Sequence, residues 1–203
     1  MNVLQNFTTR RTGKLVRACA AFALLIGAST FALVAAEIPK VGDKAPDFTL
    51  KTLDDQTVRL GELTAKGSVV LVVLRGWPGY QCPICDRQVQ GFIKIKSDFA
   101  EARSRIVFVY PGPMDGLTAH AKEFKEWKGK EWPAEFLYVL DPDYTMVNAY
   151  ALRWDAPKET AYASTFVLDG KDTVRFVKTS RTHGDRTKAA DVLAEVRKLA
   201  EAK

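Results

Sequence analysis

The chain is poor in several residues that dominate specialised proteins. Three cysteines in 203 residues are too few for a disulfide scaffold. There is no internal repeat, no low-complexity tract and, after residue 40, no Ser/Gly linker, so neither a solenoid nor a string of small domains is expected. Acidic residues are absent from positions 1–36, where four basic ones stand (Arg10, Arg11, Lys14, Arg17). The net charge of +6 therefore has a local source. The rest of the chain carries 26 basic against 24 acidic residues, a net of +2. A body so nearly balanced lacks the basic surplus that holds nucleic acid, and nucleic acid is not expected as a partner. What remains is ordinary globular composition, 47% hydrophobic and 27% charged.

The basic head is followed by Ala18 to Ala36, without a charge and rich in Ala, Leu, Phe and Val. A basic head, an apolar stretch and a small-residue end are the anatomy of a secretory signal peptide. Val34 and Ala36 suit the −3 and −1 positions of a cut before Glu37. The alternative is an uncleaved anchor, since the stretch approaches the ~20 residues that span a bilayer. Its alanine-rich composition inserts less strongly than leucine and favours cleavage. Thr9-Arg10-Arg11 is only a partial twin-arginine pattern, with Gly13 and Lys14 where apolar residues are usual. Residues 1–36 are thus expected to direct export, and residues 37–203 to work in the periplasm or otherwise outside the cytoplasm. In the anchored alternative they face outward from a membrane, the one case in which a membrane is a partner. Cys19 leaves with the signal, so the body keeps two cysteines.

Within that body, Asp47–Leu50 and Thr57–Leu60 flank Asp54-Asp55-Gln56 and read as a short hairpin. Val69 to Leu74 is an unbroken β-branched and leucine run, the pattern of a central strand buried on both faces. A turn-rich loop, Arg75-Gly76-Trp77-Pro78-Gly79-Tyr80, ends it. A helix is expected from about Cys85, with Val89, Phe92, Ile93 and Phe99 on one side. Ile106–Tyr110 reads as a strand stopped by Pro111-Gly112-Pro113. Leu117, Ala121, Phe124 and Trp127 mark a further helix. Phe136–Leu140 is strand-like, Asp143–Tyr150 a short helix, and Thr165–Leu168 with Thr173–Val177 a hairpin around Asp169-Gly170. Val192, Val196 and Leu199 mark a closing helix. This order describes one α/β domain with a central sheet covered on both faces.

The chemistry concentrates between Arg75 and Asp86, where Cys82-Pro-Ile-Cys85 stands between a buried strand and a helix. Cysteines at this spacing can close a small disulfide ring, and the free N–H groups and positive dipole end of a helix N-terminus stabilise a thiolate there. A thiol whose pKa falls from ~8.5 toward neutrality becomes an attacking group. Pro83 fits the first helical turn, where its missing N–H costs nothing. A structural zinc site would need two more ligands, and only His120 and His183 are on offer, neither near the motif nor at finger spacing. A plain structural disulfide is the other alternative, but so short a loop returns little entropy. A redox pair is the expected reading, with no cofactor.

Val41-Gly-Asp-Lys-Ala-Pro-Asp-Phe-Thr-Leu50, the hairpin after it, the Val69–Leu74 strand and the cysteine motif together resemble the peroxiredoxin-like (alkyl hydroperoxide reductase/thiol-specific antioxidant) branch of the thioredoxin superfamily. The resemblance covers roughly residues 40–180. It implies a thioredoxin-like central mixed sheet with helices on both faces and an N-terminal hairpin. It also implies a thiol peroxidase or thiol–disulfide oxidoreductase, acting on a peroxide or a disulfide and recharged by a thioredoxin-like protein or a small thiol. The family's Pro-x-x-x-Thr-x-x-Cys pattern falls on Pro78, then Cys82 at the threonine position and Cys85 at the peroxidatic one. The thioredoxin-type register fits the same pair, with Cys82 attacking and Cys85 resolving. Two departures stand out: Ala163 occupies the family's active-site arginine position, and Ser164-Thr165 stands where thioredoxins carry a cis-proline. Another cation is then expected to support peroxide cleavage, with Arg75 first because it ends the central strand, and Arg181 or Arg186 next. In that scheme Cys85 is the peroxidatic sulfur and Cys82 its resolving partner. A non-catalytic copper- or other metal-binding module on the same fold is a further alternative, but the superfamily's copper-delivery members space their cysteines and histidine differently.

Further rim residues follow from position. Trp77 and Tyr80 flank the motif as partner contacts or as lids. His183 belongs to the loop Thr179–Arg186, which the resemblance brings to the active-site edge. His120 shares a helix face with Leu117, Ala121 and Phe124 and reads as a partly buried core histidine. The run Lys122–Trp132 mixes charge signs and reads as a solvated face with its aromatics inward.

Overall fold

The computed structural model describes residues 36–201, so all but the last residue of the expected export segment lies outside the described residues. None of the described helices is long and apolar enough to cross a membrane. Seven strands form one mixed sheet in the order β2-β1-β5-β4-β3-β6-β7. Its centre is the predicted apolar run: β3 (Ser68–Val73) lies parallel to β4 (Ser104–Gly112) and antiparallel to β6 (Ser164–Leu168). Alternate β3 residues serve two cores, because successive strand side chains point to opposite faces. Val70 and Val72 meet helices α2 (Pro83–Lys94), α4 (Leu117–Glu126) and α6 (Ala189–Glu201), through Val89, Phe92, Phe124 and Val192. Val69, Leu71 and Val73 meet α1 (Leu60–Thr64) and α5 (Thr145–Ala149), through Leu60, Leu63, Met146 and Val147. A strand buried on both faces needs no polar alternation, which is why the run is unbroken. The remaining strands are the expected hairpins, β1 (Thr49–Thr52) with β2 (Thr57–Arg59) and β6 with β7 (Val174–Thr179), and β5 (Leu137–Pro142) beside β4.

Four local expectations are corrected. Pro111 does not stop β4, which runs on to Gly112 and pairs Pro111 with Asp141. The β3–β4 ladder ends at Val73 and Val109, with Leu74 N–H donating to the Val109 carbonyl. Beyond that point no neighbouring strand needs the N–H that proline lacks. The single helix expected through Phe99 is broken at Ile95 (φ −118°, ψ 31°), and Phe99 sits on α3 (Lys96–Glu101). Leu60 heads α1 instead of ending a strand, because the Asp47 carboxylate accepts from the Gly61 N–H at 3.2 Å. The Lys122–Trp132 run is not wholly solvated: the Lys130 ammonium is fully buried, 2.7 Å from the Asp86 carboxylate.

Candidate active site

Beyond Leu74 the chain leaves the sheet at Gly76 (φ +76°). A Cβ there would stand 1.9 Å from the Pro111 carbonyl oxygen, so only glycine lets the loop pass β4 this closely. The loop returns to the core at Cys82, which caps α2 in extended conformation, with Pro83 in the first turn. The Cys85 N–H donates to Cys82 Sγ at 3.2 Å. Both cysteines carry free thiols and both are buried, Cys82 at 4% exposure and Cys85 more deeply.

Their environments drive the two thiols apart. Hydrogen bonding from the Cys85 thiol, then the Cys85 N–H and the charges of Arg186 and Arg75, outweigh burial and bring Cys82 down to about 6. Burial foremost, and then the proton shared with Cys82, holds Cys85 well above the usual thiol range. At pH 7 a thiol with a pKa of about 6, as at Cys82, is roughly nine-tenths thiolate. The lowered thiol is the one that caps the helix, the arrangement of the thioredoxin-type register, and the raised one is the more deeply buried Cys85.

The loop is pinned on both flanks. Toward α4, the buried Gln81 donates to the His120 carbonyl at 2.9 Å and to Glu123 at 3.0 Å, and accepts from the Tyr110 hydroxyl at 3.2 Å. His120 is half-buried as expected, but its ring lies flat on Trp77 (4.0 Å, 7°) and not in the core. That stack makes Trp77 a wall of the loop, behind the buried Pro78. On the other flank Arg75 Nε donates to Glu159 Oε2 at 2.9 Å, Nη1 to the Tyr80 hydroxyl at 2.7 Å, and Nη2 to the Lys158 carbonyl at 2.8 Å. The other Glu159 oxygen meets His183 Nε2 at 2.8 Å.

These contacts sort the candidate cations. Arg75 is at the site and acts as a clamp, each guanidinium nitrogen donating one hydrogen bond, with one further N–H left on each of Nη1 and Nη2. Arg181 stands on an exposed turn and makes no hydrogen bond or ion pair among the described residues. Arg186 fits the missing role better. Its charge supports the thiolate form of both cysteines, its Nη1 binds only the Thr182 carbonyl, and its buried Nε has no partner. Ala163 is buried just before β6, and its carbonyl accepts from the N–H of Ser180, just past β7. Glu159, which organises the ionic flank, was not among the residues singled out from sequence. A cavity of about 460 Å³ near Lys66, Lys96, Arg103 and Arg105 lies at the opposite end of β3 and β4.

A thioredoxin-type sheet with a Cys-x-x-Cys pair opening the helix after its central strand defines a thiol-dependent redox protein. Residues 41–177 match the model of the AhpC/TSA family, and the chain belongs to that family. It is 27% identical over 168 residues to peroxiredoxin Bcp of Bacillus subtilis, covering 80% of this chain and 98% of that protein. It is 28% identical over 116 residues to the thiol-disulfide oxidoreductase ResA of Halalkalibacterium halodurans, covering 57% of this chain and 59% of ResA. Among solved structures, peroxidoxin BcpB from Mycobacterium tuberculosis superposes with a TM-score of 0.62 at 25% identity, over 79% of this chain and 98% of the other.

Proposed function

We propose that the mature chain is an exported thiol peroxidase in which Cys82 attacks and Cys85 resolves. The Cys82 thiolate attacks one peroxide oxygen. The O–O bond breaks, Cys82 becomes a sulfenic acid, and the departing oxygen leaves as water or an alcohol after taking a proton. The Cys85 thiol then attacks the Cys82 sulfur, forming the disulfide and releasing water. A thioredoxin-like protein or a small thiol returns both sulfurs to thiols. Arg186 supplies the positive charge that stabilises the departing oxygen. The observation that carries the reading is the placement of the pair, with Cys82 capping α2 and accepting the Cys85 N–H at 3.2 Å and Cys85 buried one turn away, which favours a thiolate at the cap and a protonated partner. Export rests on the basic and apolar head before Glu37, and N-terminal sequencing of the native protein should begin at or near that residue.

A second reading, thiol–disulfide exchange with proteins, is favoured by Ala163 at the family's arginine position. Hydrogen peroxide consumption with a dithiol reductant, run beside insulin reduction, separates the two. On the peroxidase reading Cys82→Ser loses sulfenate formation, while Cys85→Ser forms sulfenate and retains it. Insulin reduction without peroxide consumption establishes the exchange reading instead.

A further inference from the structure

The dithiol cycle has no use for the carboxylate of Glu159, yet the fold takes trouble to place it. Glu159 lies between α5 and β6, next to Lys158, whose φ of +61° is a left-handed conformation that lysine disfavours. The turn brings two acceptors, the Lys158 carbonyl and the Glu159 carboxylate, onto one guanidinium. The ion pair so formed leaves its side chains only 4% and 10% exposed. A pair buried this deeply recovers its desolvation cost poorly, so stability alone is a weak reason for it. Its position gives a better one. Arg75 reaches the Tyr80 hydroxyl, two residues before Cys82, and its main chain faces the Cys85 sulfur. His183 holds the other oxygen of Glu159, so one carboxylate joins the cysteine loop, the 153–163 loop and the loop before α6.

We propose that Glu159 is a positioning residue of the dithiol: it fixes the Arg75 guanidinium across three loops and limits how much of that positive charge reaches the Cys82 sulfur. The inference rests on the reading of Cys82 as the attacking thiolate. The charged and titratable groups around the path are few. Cys82 is faced by Cys85 from α2, Arg186 from the loop before α6, Arg75 from the end of β3 and the Tyr110 phenol from β4. Arg75 is faced by Tyr80 and Glu159, and Glu159 by Arg75 and His183. Removing the carboxylate's charge while keeping its shape unmasks Arg75 and favours the thiolate. Removing the charge of Arg75 does the opposite.

The test is the pH dependence of iodoacetamide alkylation at Cys82, in the full chain and in Glu159→Gln, Arg75→Gln and Arg75→Lys. Glu159→Gln should move the midpoint to lower pH and raise the rate at about pH 5 by about twofold or more. Arg75→Gln should move it to higher pH. Arg75→Lys, which keeps the charge and loses the fork, should stay closer to wild type than Arg75→Gln. A carboxylate that merely pins the loop predicts that the two Gln variants shift the same way, and that outcome overturns the proposal. If Arg75→Gln does not fold, Glu159→Gln decides alone: a downward shift supports the charge role, and an upward shift or none refutes it. A wild-type midpoint near the ordinary thiol value of ~8.5 would instead remove the Cys82 reading beneath both.

Discussion

On the α4 side the cysteine loop is held by an amide, a phenol and a ring stack: Gln81 against His120, Glu123 and Tyr110, and Trp77 against His120. On the other side it is held by a buried guanidinium and carboxylate, with His183 at the outer end. Both flanks fix the same seven-residue stretch, from Gly76 to Cys82, but they act on the sulfur differently. The first kind chiefly sets geometry, because its one carboxylate, Glu123, is 55% exposed and screened by water. The second kind carries charge, and charge in a site of low dielectric shifts titrations over several ångströms. Variants on the α4 side should therefore change stability, and variants on the ionic side should change the reactivity of the thiol.

Arg186 offers the largest break in that division. It belongs to the ionic side, and its one side-chain hydrogen bond is to an exposed turn. Arg186→Met is expected to slow sulfenate formation by on the order of tenfold, about 1.4 kcal/mol of barrier, and to raise the thiolate midpoint while the unfolding transition barely moves. Stopped-flow reaction with hydrogen peroxide, beside a thermal melt, measures both. Gln81→Leu tests the α4 side. It strands the Tyr110 hydroxyl and frees the loop, so chemical denaturation should show a loss of about 1–3 kcal/mol with the alkylation midpoint unchanged. The smallest effect is expected of His120→Ala, which removes the stack on Trp77 at a cost of roughly 0.5–1.5 kcal/mol. A shift of the thiol midpoint in Gln81→Leu or His120→Ala equal to that of Arg186→Met would erase the distinction between the flanks.

The parts legible in the sequence are those written in periodicity and short motifs. The β3 run, both hairpins, the closing helix and the Cys-x-x-Cys at a helix start are all local signals, and they position the site. Pro111 misled because a proline stops a strand only where its N–H is needed, and that depends on where the neighbouring strand ends. Lys130 looked like one more solvated charge, since nothing in a mixed run reveals that Asp86, 44 residues away, takes its ammonium into the interior. Glu159 was invisible for the same reason: it is 84 residues from Arg75, in a loop without periodicity, and its role exists only in three dimensions. The inequality of the two sulfurs also required the fold, because burial of Cys85 is what separates two thiols that the motif presents as equivalent.

That separation is the centre of the account, and ultraviolet titration of thiolate absorbance in the reduced protein tests it most directly. The Cys82 pKa is lowered on folding, so its thiolate contributes stability that is fully present above the ordinary thiol pKa and is lost as pH falls through about 6. Wild-type protein should show one step near 6 and a second well above the ordinary thiol range. Cys82→Ser should lose the low step, together with the gain in unfolding free energy as pH rises from about 6 toward 9. A low step that survives in Cys82→Ser, or its absence from the wild type, would contradict the assignment of the thiolate to Cys82.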